Sequence, residues 1–273
     1  MKFHHEGTDL TGKNKLSSLF YNKLDIFTTF TGMKISGIIR EKVNRLPRGY
    51  TFTYTDLSTT VESREAVIKA LNRMVGAGKL IKLSKGRYYK PEASPFGNLK
   101  PSEAQVVKDL LERNGQVIGY LTGNSIYNQL GLTTQVTNTI QIGSNTFRPS
   151  FKRGKFQVSY IRQKNRITQG NIPYLQLLDA IRYLKKIPGT GLAEGCVRML
   201  AILKPMKKEE LSILVRLAGA YSPATRALLG AMLEKLGKSI WLDSLYKSLN
   251  PITYYNWPGA KEILPAAEKW NIK

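Results

Sequence analysis

Between Ile35 and Pro91 the chain is punctuated so often that few folds can accommodate it. Ile35, Ile38, Ile39, Val43 and Leu46 recur at helical spacing, and Pro47-Arg48-Gly49 stops the pattern. Tyr50-Thr51-Phe52 reads as a short strand. Thr53 can cap a one-turn helix through Leu57, and Ser63 caps a longer helix running to about Val75, ended by Gly76 and Gly78. Two β-prone runs, Leu80-Ile81-Lys82-Leu83 and Arg87-Tyr88-Tyr89, then flank a Ser84-Lys85-Gly86 turn. Helix, strand, short helix, capped helix and hairpin, in this order and in so short a span, predict a winged helix-turn-helix over residues 34–91.

The remainder predicts an α+β chain with further parts. Residues 1–33 read as a leader without sustained periodicity. Met33-Lys34 offers a second plausible start, although Leu16, Leu19, Phe20, Leu24, Ile26 and Phe27 could make a short docked helix. Residues 92–170 read as a small α/β domain, entered through a linker at 92–100. A Ser102/Gln105 capping box opens its helix to about Asn114, stopped by Gly115. A strand over Gln116–Tyr120, a short helix from Asn124 to Leu130, and β-prone pieces at Thr139–Ile142, Thr146–Arg148 and Phe156–Ile161 follow. From 171 to 273 the pattern is helical, with Ser222-Pro223 as the N-cap and first residue of one helix. No fixed-period repeat or low-complexity tract interrupts this order.

Charge points to the partner. Lys and Arg number 42 against 19 Asp and Glu, a formal charge of +23, which suits a polyanion. On the helix after Ser63, Val67, Ile68, Ala70, Leu71, Met74 and Val75 share one side, while Glu65, Lys69, Asn72 and Arg73 share the other. Any amphipathic surface helix turns charge outward. In a helix-turn-helix, however, Ser63, Arg64, Lys69 and Asn72 are placed for bases or phosphates and Arg73 for the flanking backbone. The hairpin from Lys79 to Lys90 contains no acid, and Lys82, Lys85, Arg87 and Lys90 would lie along sugar-phosphate.

No carboxylate occurs between Glu112 and Asp179, whereas Arg148, Lys152, Arg153, Lys155, Arg162, Lys164 and Arg166 form a second basic cluster. Phe147, Phe151, Phe156 and Tyr160 interleave with it. Such residues could stack on single-stranded nucleic acid, but alternate aromatics in strands are more often core.

Catalysis is disfavoured. The two histidines, His4 and His5, sit at the extreme N-terminus, which removes Ser-His-Asp and Cys-His mechanisms and histidine metal sites from the body of the chain. The single cysteine, Cys196, lies in an apolar helical context and reads as a buried small residue. The acids available to a metal-dependent nuclease, Asp179, Glu194, Glu209 and Glu210, follow no recognised motif. Gly189-Thr190-Gly191 lacks a Walker lysine and reads as a turn. Tyr254, Tyr255, Trp257 and Trp270 read as a core-sealing tail. No secretory signal or membrane span is evident, and a cytoplasmic location is expected, with no cofactor or metal.

Arg48-Gly49-Tyr50-Thr51-Phe52, Ser63-Arg64-Glu65-Ala66-Val67, Gly78 through Pro91 and Leu130-Gly131-Leu132-Thr133-Thr134-Gln135-Val136 resemble the AbiEi-type antitoxin family of abortive-infection systems. The likeness runs from about Ile35 to Arg166. Tyr221 through Gly230 and Trp270-Asn271-Ile272 resemble the helical extension of longer bacterial members. The resemblance implies a winged-helix autorepressor of its own operon, a basic antitoxin domain, and a nucleotidyltransferase-like toxin as functional partner in a type IV system, with or without direct contact.

The expectation is therefore a DNA-binding transcriptional autorepressor and antitoxin without catalysis. The alternatives are a basic module that binds RNA or the toxin, and a metal-dependent nucleic-acid enzyme. A homodimer would suit a palindromic operator, although no heptad repeat supports one.

Overall fold

The computed structural model describes residues 35–57 and 64–273. The leader 1–33, both histidines and Ser63 lie outside the described residues. The fold is α+β, and the chain divides into two compact units, Met1–Lys100 and Pro101–Lys273.

In the first unit, α1 (Ile35–Arg45), β1 (Thr51–Thr53), α2 (Tyr54–Leu57), α3 (Arg64–Gly76), β2 (Ile81–Ser84) and β3 (Arg87–Tyr89) occur in that order. The strands make an antiparallel sheet, β1-β3-β2. Ile39, Val43, Phe52, Leu57, Val67, Ala70, Leu71, Met74, Leu80 and Tyr88 form its core. Each helix contributes one apolar stripe, and the sheet covers them. Asp56 starts α2 by accepting from the Thr53 amide (2.7 Å) and hydroxyl (3.1 Å). The segment expected as a linker instead extends this unit. β4 (Ala93–Ser94) pairs with β5 (Gly97–Asn98), Ser94 Oγ donates to the Gly97 carbonyl (2.7 Å), and the Tyr89 hydroxyl donates to the Leu99 carbonyl (2.8 Å).

The second unit opens with α4 (Glu103–Val106) and α5 (Lys108–Leu111), capped by Ser102 Oγ, which accepts from the Gln105 amide. The helical run ends earlier than the capping box and Gly115 suggested. Asn114 (φ 51°) and Gly115 (φ 75°) make the turn between β6 (Glu112–Arg113) and β7 (Gln116–Val117), because Asn-Gly suits a tight hairpin better than a helix stop. β8 (Gly119–Thr122), α6 (Asn124–Gln129), β9 (Thr139–Ser144), β10 (Phe151–Arg153) and β11 (Phe156–Arg162) follow. Thr146–Arg148 is not a strand; β10 begins only beyond Pro149, which lacks the amide that a ladder needs.

The sheet order is β10-β11-β9-β8, with β11 and β9 parallel and the other pairs antiparallel. Val106, Val107 and Leu110 pack with Ile140, Ile142 and Val158 on one face. On the other, Tyr120 and Thr122 meet α7 (Ile172–Tyr183). α8 (Leu192–Leu203), α9 (Lys208–Ala218), α10 (Pro223–Lys235), α11 (Leu242–Lys247) and α12 (Ala260–Ile263) complete the unit. Among the described residues, no helix is long and apolar enough to cross a membrane.

The division expected at residue 170 cuts through the larger of the two apolar cores of this unit. Tyr120, Tyr127 and Leu132 share one apolar cluster with the helices after residue 171, because a buried polar knot binds the sheet to them. Asp179 is fully buried on α7. Its Oδ2 accepts from the hydroxyls of Tyr120 (2.7 Å) and Thr122 (3.0 Å), and its Oδ1 accepts from the Tyr221 hydroxyl (2.9 Å). Gln163 Nε2 donates to both tyrosine oxygens at 2.9 Å. Gly143 stands across from Tyr120, where a Cβ would collide with the phenol ring.

Burial holds the Asp179 carboxyl above the ordinary carboxylate range, against the three hydroxyls and the charge of Arg182, which act to lower it. A folded pKa above the unfolded one gives stability that is fully present below the unfolded value and is lost as pH rises through the folded value. Asp179→Asn should remove this dependence. The amide oxygen can accept from Tyr120 and Thr122 while the amide nitrogen donates to Tyr221, whose hydroxyl can turn to the Leu175 carbonyl 3.2 Å away. Urea unfolding from acidic to neutral pH should show the variant gaining on the wild type as pH rises. Asp179→Ala, which strands the hydroxyls, should cost about 1–3 kcal/mol.

Candidate nucleic-acid interface

The core-facing spacing of α3 buries Val67, Ala70, Leu71 and Met74 and leaves Arg64, Glu65, Lys69, Asn72 and Arg73 exposed. Two of these side chains are held in place. The Arg64 guanidinium lies 4.8 Å from the Tyr54 ring centroid. Asn72 Oδ1 accepts from the hydroxyl of Tyr88 at 3.2 Å, so a core residue of β3 orients its amide. Lys82 pairs directly with Tyr88 and therefore stands on the same sheet face, which faces α3. Lys82 is exposed on the strand paired with Tyr88, and exposed Lys85 occupies the turn, where Gly86 has φ 75°.

Other bases of this region serve the fold. Lys90 Nζ donates to the carbonyls of Asn44 (2.8 Å) and Leu46 (2.6 Å), satisfying the C-terminal end of α1, and burial lowers its pKa. It is a helix cap, which corrects its expected place on the phosphate backbone. Lys42 Nζ does the same for the Leu57 carbonyl of α2 (2.8 Å). Arg87 is half-buried and engaged within the protein.

The second basic cluster is divided by the fold. Arg153 leaves it altogether. Its side chain is 10% exposed, bridges Asp109 at 2.7 and 3.2 Å, and donates to the Val106 carbonyl at 2.9 Å. Lys155 packs 5.1 Å from the Phe156 ring centroid, and Arg148 is half-buried. Lys152 is exposed at the end of the sheet where Gln157 pairs with Thr139, whereas exposed Arg162, Lys164 and Arg166 lie at and beyond the opposite end. Five strand residues, about 17 Å, separate Gln157 from Arg162. Of the aromatics, Phe151, Phe156 and Tyr160 pack against the apolar cluster under the sheet, while Phe147 is 73% exposed.

The acids nominated for metal chemistry do not form one site. Asp179 is locked in the buried knot, Glu210 Oε2 caps α9 by accepting from the Lys207 amide (2.7 Å), and Glu194 and Glu209 are exposed. Among the described residues, no group of three or more His, Cys, Asp or Glu is placed to hold a metal. Cys196 is buried, and burial pushes its thiol up to about 11. Gly189-Thr190-Gly191 is a turn whose Thr190 hydroxyl donates to the Leu132 carbonyl. Tyr255, Trp257 and Trp270 seal the core, while Tyr254 is exposed.

A cavity of about 360 Å³ in the second unit draws on residues that composition and motifs did not single out, among them Asn124, Tyr127, Gln141 and Lys186. The polar alternation of Thr137, Thr139 and Gln141 is the one local signal for it.

Lys90→Met should lower the stability of the first unit by about 1 kcal/mol, read as a shift in its chemical unfolding midpoint. Arg153→Ala should cost the second unit about 1.5–3 kcal/mol. Neither should change the salt dependence of nucleic-acid binding.

A family model described as a family of unknown function, DUF6088, matches residues 38–212. No curated protein matches. Among solved structures, the crystal structure of the RV2827C protein from Mycobacterium tuberculosis is similar at 14% sequence identity, covering 80% of this chain and 82% of that chain with a TM-score of 0.49. The family match takes in the hairpin, the mixed sheet and the cavity, and more than half of the sequence: the chain belongs to the DUF6088 family.

Proposed function

We propose that the chain is a cytoplasmic, DNA-binding transcriptional autorepressor and antitoxin of a type IV toxin–antitoxin operon, acting without catalysis of its own against a nucleotidyltransferase-like toxin. On this reading Ile35 to Pro91 is a winged helix-turn-helix, with α3 in the major groove and the β2–β3 hairpin as the wing. The observation that carries it is the union of an exposed Arg64, Lys69, Asn72 and Arg73 face with an acid-free hairpin whose Tyr88 is bonded to Asn72. Arg and Asn suit guanine and adenine edges, and Lys82 and Lys85 suit phosphates. The AbiEi-like residues support the antitoxin role and the operon context.

A second reading, a module that binds RNA or the toxin through its second unit, draws on the exposed Arg162, Lys164 and Arg166 at one end of the mixed sheet.

The test is titration of the protein against its own upstream promoter DNA and a scrambled duplex of equal length, at several salt concentrations, with footprinting. Protection of a discrete site that survives physiological salt is expected, with much weaker binding to the scrambled duplex. Lys85→Ala should weaken binding to every sequence and reduce the salt slope by about 1. Arg64→Ala or Asn72→Ala should cost about 1–3 kcal/mol at particular base pairs. Equal, steeply salt-dependent binding to both duplexes would refute the repressor and favour RNA or a protein partner.

A further inference from the structure

The cavity of about 360 Å³ in the second unit lies in the size range of small-molecule sites, about 300–1,000 Å³. Its walls include Asn124, Tyr127, Thr139, Gln141, Tyr183 and Lys186. Tyr127 is only 4% exposed, and its hydroxyl, which makes no hydrogen bond among the described residues, is the part of it that stays open to solvent. The amides of Asn124 and Gln141, the Tyr183 hydroxyl and the Lys186 ammonium are likewise without hydrogen bonds among the described residues. Gly123 (φ 78°) leaves room for the Gln141 side chain, since a Cβ there would collide with its amide.

These groups select a ligand class. An apolar molecule would leave several half-buried donors and acceptors unpaired. A metal ion or an amine would meet Lys186 and find no carboxylate among the lining residues. The walls suit an anion that carries a planar group rich in hydrogen-bonding edges. Asn and Gln side chains are paired readers of such edges, tyrosine rings offer stacking faces, and lysine takes a phosphate. Arg182, whose guanidinium lies 5.0 Å from the Tyr183 ring centroid, adds positive potential beside that wall.

We propose that this cavity binds a nucleotide, free or as one unit of a single strand, with the base read by Asn124 and Gln141 against the tyrosine wall and the phosphate held by Lys186. The sheet supplies a path for a strand. Lys152 pairs with Gln157 and Gln157 with Thr139, so these three share one face in a row that runs from an exposed lysine to the cavity wall, about 10 Å across. The site uses no residue of the first unit and stands whether or not that unit reads DNA.

Calorimetric titration of the full chain with AMP, GMP, CMP and UMP, and with short single-stranded RNA and DNA oligomers, tests it, with ribose 5-phosphate and inorganic phosphate as controls. Saturable one-to-one binding of at least one nucleotide or oligomer is expected. Gln141→Ala and Lys186→Ala should weaken it at least tenfold and Tyr127→Phe several-fold, with melting temperatures preserved, while Lys85→Ala leaves it unchanged. Mononucleotide binding indifferent to Lys152→Ala would identify a free nucleotide. Oligomer binding weakened by Lys152→Ala, without mononucleotide binding, would identify a strand. No saturable binding, binding insensitive to Gln141→Ala and Lys186→Ala, or control ligands bound as tightly as nucleotides would overturn the proposal.

Discussion

The second unit depends on one buried carboxyl group. Asp179 is surrounded by three hydroxyl donors from two parts of the chain, Tyr120 and Thr122 on β8 and Tyr221 between α9 and α10, with Gln163 closing the ring behind them. A group of this kind is costly to bury without partners, so the arrangement is satisfied as a whole or destabilises the fold. It fixes α7 over the β8 side of the mixed sheet, and Gln141, which pairs directly with Thr122 of the knot, begins a polar row on the same face that continues through Thr139 to Gln157.

Basic residues play two distinct parts. With carboxylates scarce, several cations are spent on the unpaired carbonyls that every helix leaves at its C-terminal end. Lys42 takes the end of α2, Lys90 that of α1, Arg153 that of α4, Arg198 that of α6, and Lys235 that of α12. Arg226 reaches the Gly219 carbonyl after α9 and the Ser248 carbonyl after α11. Each choice agrees with the helix dipole. Counting bases along a segment therefore overstates an interface: of the two clusters read from the sequence, Arg64, Lys69, Arg73, Lys82 and Lys85 face outward in the first unit, and Lys152 and the group from Arg162 to Arg166 lie at opposite ends of the second sheet.

Local signals held where the deciding interactions are local. The stripe Val67, Ala70, Leu71 and Met74 buries as its 3.6-residue spacing requires, the Lys85-Gly86 turn closes the hairpin, and Ser222 caps α10 by accepting from the Thr225 amide. They failed where one local rule met another. Asn114-Gly115 made a hairpin turn where a helix stop was expected, and Pro149 displaced a strand into Phe151–Arg153. Cys196 and the C-terminal tryptophans were legible as core because apolar context alone decides burial of that kind.

The amino-acid sequence by itself determined the α+β class, the element order of the first unit, the outward face of α3 and the acid-free hairpin, since each rests on spacing, turn chemistry or charge within a few residues. Only the tertiary structure decided that Lys90 and Arg153 serve the fold, that residues 101–273 form one unit, and that Asn124, Tyr127, Gln141 and Lys186 line one cavity. Those outcomes depend on which distant carbonyls, hydroxyls and strands arrive beside a side chain, and strand register and helix packing carry that information where local spacing does not.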